Sequence, residues 1–179
     1  MEIYRIKTKD GIVYVRKDWS TEVSESGYLT YFISGQGYKR TKRFELIEVD
    51  LEPKKDALYI GEVASNYGDD IASYLCEHAF GCCTISAQNW APFFRYAYKI
   101  AKENFNEDEL DNISRDVVNN FRGFFGCLDI PFLDKALSRL DSDYDGNKCT
   151  YKRKNVSMAE YIEEKYGETT VKLIELLLR

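Results

Sequence analysis

Apolar and polar residues alternate from the start of the chain. Glu2 to Lys7 and Ile12 to Arg16 are rich in Ile, Val and Tyr and read as two strands. Lys9-Asp10-Gly11 lies between them, and Asp-Gly supplies the positive φ of a tight hairpin turn. Tyr28 to Ile33 reads as a third strand, ended by Gly35-Gln36-Gly37. Tyr38 to Val49 supplies one or two more, with Leu46, Ile47 and Val49 as apolar positions. Short strands with tight turns predict an antiparallel β-meander, or a small barrel-like sheet of the SH3 kind.

Leu51 to Lys55, with Pro53, marks a junction after which the apolar spacing becomes helical. A helix is expected from Asp69 or Asp70 to Phe80. A longer one is expected from Ser86 to about Phe105, with Phe93, Phe94, Ala97, Tyr98 and Ala101 at helical spacing and Pro92 delaying its start. Asn106 with Glu109 forms a capping pair for a helix through Leu110, Ile113, Val117 and Phe121. Asp129-Ile130-Pro131 opens a short helix to Leu140, and Ser157 with Glu160 is a second capping pair. Gly167 stops that helix, and the last begins at Thr169 with Val171, Ile174, Leu177 and Leu178 on one stripe. The expected fold class is α+β, with a β-rich subdomain over 1–50 and a predominantly helical one over 51–179, packed as one unit. The last stripe fits either this chain's own core or a homodimer contact.

Charge changes the picture by being uneven. Residues 1–50 carry nine Lys/Arg and eight Asp/Glu, whereas 51–179 carry 16 and 22, so the acidity of the chain, net −5, lies in the helical half. An acidic surface repels nucleic acid and attracts basic protein grooves. The 14 Tyr and 10 Phe serve a sheet core or an aromatic binding face. The N-terminus lacks the apolar run of a signal peptide, and Leu173 to Leu178 is too short to span a bilayer. Five cysteines (Cys76, Cys82, Cys83, Cys127 and Cys149) fit free thiols in a reducing compartment. Cytoplasmic location and no membrane contact are expected.

Three local patterns are candidates for chemistry. Asp141, Asp143 and Asp145, with Gly146 and Asn147, match the first half of a calcium-binding loop. The twelfth position, where a bidentate Glu belongs, is Lys152, and an Asp-rich helix connection accounts for the same residues. Cys76, His78, Cys82 and Cys83 have soft donors for zinc but no Cys-x-x-Cys spacing. No metal or other cofactor is expected. His78 is the only histidine, and the nucleophile-elbow, phosphate-loop and dinucleotide motifs are absent. The carboxylate pairs Asp69-Asp70 and Asp108-Glu109 sit where they complement helix dipoles. The third pattern is basic and aromatic: Tyr38, Lys39, Arg40, Lys42 and Arg43 on a strand, and Tyr151, Lys152, Arg153 and Lys154 near the C-terminus. Cations beside planar rings suit phosphates and stacked bases. On a strand, Lys39 and Thr41 share one face and Arg40 and Lys42 the other.

The Lys/Asp/Asn/Tyr-rich, Pro-poor composition, the start Met1-Glu2-Ile3-Tyr4-Arg5-Ile6 and the run Ser157 to Gly167 resemble small accessory proteins of phages and conjugative elements, including antirestriction and anti-CRISPR proteins. The resemblance implies a protein that works by binding a host enzyme that handles nucleic acid. The leading expectation is therefore a non-catalytic inhibitor of a host protein or nucleoprotein complex such as CRISPR–Cas. The alternatives are direct DNA or RNA binding through the basic strand, and a metal-dependent enzyme or calcium switch.

Overall fold

The computed structural model describes residues 1–113 and 166–177, together with residues 118, 163 and 164. The chain divides into two compact units, one of residues 1–55 and 60–95, the other of residues 56–59 and 96–179.

In the first unit, β1 (Glu2–Thr8) and β2 (Gly11–Arg16) form the expected hairpin. The Thr8 hydroxyl ties its turn, donating to the Gly11 carbonyl at 3.0 Å and accepting from the Asp10 amide at 3.2 Å. Gly11 has φ 131°, a value that L side chains rarely adopt. Four more strands follow: β3 (Glu22–Val23), β4 (Leu29–Ile33), β5 (Gly37–Thr41) and β6 (Phe44–Glu48). They do not make a simple meander. β6 returns to the free side of β1, giving the order β2-β1-β6, while β3-β4-β5 form a separate sheet. All pairings are antiparallel. Two small open sheets replace the barrel-like alternative, because one strand pairing is never made between β5 and β6 to continue the sheet.

The two sheets share a core. Tyr4, Ile6 and Val15 of the first pack with Leu29 and Tyr31 of the second, and Phe44 meets Tyr4 edge to face at 5.7 Å. On the opposite face of central strand β1, Ile3 is also fully buried, whereas Arg5 and Lys7 on that face are exposed. Ile3 pairs with Arg16, whose guanidinium lies 3.8 Å from the Tyr74 ring centroid, so the Ile3 end of this face meets helix.

Three helices follow: α1 (Ala57–Tyr67), α2 (Asp69–Phe80) and α3 (Thr84–Asn104). α2 has the bounds its pattern predicts, ending at Gly81 in the left-handed conformation. α1 is an addition to the sequence expectation: the Asp56 carboxylate accepts from the Leu58 and Tyr59 amides and starts it. α3 begins two residues before Ser86 and carries Pro92 inside, so the proline does not set its start. Phe80 packs on Trp90 and Phe94, joining α2 to α3.

The second unit contains the end of α3, then α4 (Glu107–Asp111) and α5 (Glu168–Leu177). The Asn106–Glu109 capping pair is present in full, with both bonds at 2.8–2.9 Å. α4 ends at Asp111 and Ile113 is buried beyond its end, while Val117 and Phe121 of the expected stripe lie outside the described residues. On α5 the buried stripe is Thr170, Leu173, Ile174 and Leu177, shifted from the expected one, and Leu178 lies outside the described residues. Those side chains are at most 6% exposed, so the stripe is buried within this chain. Among the described residues, no helix is long and apolar enough to cross a membrane.

Candidate functional site

The β4–β5 hairpin decides where the basic and aromatic residues point. Its loop is Ser34-Gly35-Gln36, closed by the Gln36 amide on the Ile33 carbonyl at 3.0 Å, with Gly35 at φ 74°. This loop sets the register: Phe32 lies opposite Tyr38, Tyr31 opposite Lys39, Thr30 opposite Arg40 and Leu29 opposite Thr41. Successive side chains alternate between faces. Leu29 and Tyr31 enter the core, so Tyr28, Thr30 and Phe32 lie on the outer face together with Tyr38, Arg40 and Lys42.

Contacts across the hairpin confirm this face. The Phe32 and Tyr38 rings meet edge to face at 5.3 Å. The Arg40 guanidinium and the Lys42 ammonium lie 5.0 Å and 4.5 Å from the Tyr28 ring centroid. Such cation–π contacts hold two flexible cations near the sheet. Phe32 is 46% exposed and Tyr38 65%, so neither ring is spent on the core. Residues 27–44 contain four basic residues and no acidic one, within a chain of net charge −5. The nearest acid by register is Glu22 of β3, opposite Thr30.

The other predicted residues separate from this group. Lys39 faces away from Arg40, as its position on the strand predicts, and stays exposed because β5 is a sheet edge, where a lysine also discourages edge-to-edge association. Arg43 lies beyond β5 and lines a shallow depression of the first sheet with Arg5, Lys7, Ile12, Phe44 and Glu45. Tyr151, Lys152, Arg153 and Lys154, and the acids Asp141, Asp143 and Asp145, lie outside the described residues, as do Cys127 and Cys149. Sequence reasoning missed Tyr28 and Phe32. Their signal was the period-two alternation of the third strand; which face was outward depended on the core, and their basic neighbours on the hairpin register.

Cys76, His78, Cys82 and Cys83 do not converge. Cys76 is buried, whereas His78 is exposed, with Nδ1 2.9 Å from the Tyr74 carbonyl and its ring tilted against the Tyr74 ring at 4.0 Å between centroids. Cys83 is exposed at the start of α3. Its hydrogen bonds with the Ser86 hydroxyl and amide draw the thiol below its usual pKa. Among the described residues, no group of three or more His, Cys, Asp or Glu could hold a metal ion.

A cleft of 360 Å³ lies between β2 and the start of α2, lined in part by Tyr14, Asn66, Tyr67, Asp69, Asp70 and Arg95. Burial raises the Asp69 pKa, the Arg95 guanidinium 3.3 Å away opposes that shift, and Asp70 adds to it. No histidine or thiol lines the cleft, and the hydroxyl of its serine, Ser65, donates to the Gly61 carbonyl. A nucleophile with an adjacent base is thus not assembled there. The chain matches no protein-family model, no curated protein and no solved structure.

Proposed function

We propose that this chain is a non-catalytic binding factor that engages a nucleic-acid-handling nucleoprotein complex through the outer face of β3-β4-β5. One observation carries the reading: Phe32 and Tyr38 are exposed side by side next to two cations held over Tyr28, in an acid-free stretch of an acidic chain. Exposed aromatic rings with arginine are the groups that dominate binding energy at macromolecular contacts. The resemblance to antirestriction and anti-CRISPR proteins supports a defence complex of a bacterial host as the target.

Affinity capture from a bacterial lysate tests this, with tagged wild type run beside the triple variant Phe32→Ala, Tyr38→Ala, Arg40→Ala. The expected result is enrichment of nucleic-acid-processing proteins by the wild type and its loss in the variant. Identical captures by the two chains, both folded by circular dichroism, overturn the assignment.

A further inference from the structure

We propose that the outer face of the β4–β5 hairpin binds single-stranded nucleic acid directly, the bases stacking on Phe32 and Tyr38 and the phosphates meeting Arg40 and Lys42. The inference rests on the reading of this face as the interface and names what it touches.

The chemistry of the face selects the ligand. An acidic peptide satisfies Arg40 and Lys42 but leaves two large rings in water. An apolar protein surface covers the rings but strips water from two cations without pairing them, which is costly. A polymer that alternates flat bases with anions satisfies both groups together. Tyr38 and Arg40 are two positions apart on one face of β5, about 7 Å along the strand. The face therefore repeats ring and cation at short intervals. Tyr28 keeps both cations on the sheet, which lowers the ordering cost on binding.

Strandedness follows from the rings. A duplex keeps its base faces stacked internally and displays only edges and phosphates, so exposed rings on a sheet gain nothing from it. Unpaired bases offer their faces, and stacking of this kind tolerates any sequence.

The test is fluorescence anisotropy of the full chain with labelled oligothymidylate and oligouridylate of about 15 nucleotides, against a hairpin duplex of similar length. Single strands are expected to bind at least about tenfold tighter than the duplex. Tyr38→Ala and Phe32→Ala should each weaken binding by about five- to a hundredfold, whereas Tyr38→Phe, which keeps the ring, retains it. Arg40→Ala should flatten the slope of log K against log salt by about 0.7. No single-strand binding at about 100 μM protein in low salt overturns the proposal, as does equal affinity for the duplex. Stronger binding to phosphatidylglycerol vesicles than to the oligonucleotides also overturns it. Lysate capture that survives nuclease treatment and depends on Tyr38, without oligonucleotide binding, would leave the interface standing and make its partner a protein.

Discussion

Asp18 shows how single residues hold the loop that leads into the second sheet. Its carboxylate accepts from the Arg16 guanidinium at 2.7 Å and from the Ser20 hydroxyl and amide at 2.6 and 2.8 Å. Its own backbone is tied to Thr21. Partial burial works to raise its pKa, but the bonds from Ser20 and Arg16 outweigh it and the net shift is downward. A carboxyl with a lowered folded pKa adds stability above its unfolded value, and that stability is lost as pH falls through the folded value. Asp18→Asn should therefore cost about 1–2 kcal/mol at pH 7. The gap between variant and wild type should close as pH falls from the ordinary carboxyl value downward through the lowered folded one. Urea titrations at neutral pH and across that acid range check this; a gap that stays constant with pH would show that the charge contributes nothing. Arg16 links this loop to helix as well, since the same guanidinium lies over Tyr74.

At the scale of elements, much of the chain was legible because local chemistry fixes local shape. The Asp10-Gly11 turn, the Gly35-Gln36-Gly37 stop and the bounds of α2 depend on neighbours within a few residues. The Asn106–Glu109 cap was equally readable: each residue closes a bond to the other's backbone. Asn106→Ala should cost about 1 kcal/mol in chemical denaturation; Asn106→Asp, which keeps the acceptor, should recover most of it. What the cap could not reveal was how soon α4 ends, because apolar spacing continued past Asp111. The return of β6 to β1 was illegible for the same kind of reason. It depends on Phe44 meeting Tyr4 across the first sheet, a contact between residues forty positions apart. The candidate site lies on the same divide. Arg40 and Lys42 could be assigned a common face from alternation alone, but Tyr28 and Phe32 joined them only through the hairpin register.

At the scale of the whole molecule, the net charge and the candidate face point in opposite directions. A chain at −5 repels a polyanion at long range. At physiological salt the field is screened within about 8 Å, so the charges next to the ligand decide. On β4 and β5 these are all positive, and the opposing charge closest in register is Glu22, across Thr30 from Arg40. Glu22 is exposed and forms one of two residues in the short strand β3, so replacing it leaves the core intact. Glu22→Lys should therefore tighten binding of a single-stranded oligonucleotide by about two- to fivefold in low salt. It adds up to one phosphate contact, which steepens the salt dependence by up to about 0.7 in log–log slope. The gain should shrink as salt rises. Anisotropy titrations across salt concentrations measure both quantities. An unchanged affinity at every salt concentration would place the bound strand away from β3, along the outer edge of β5 near Lys39.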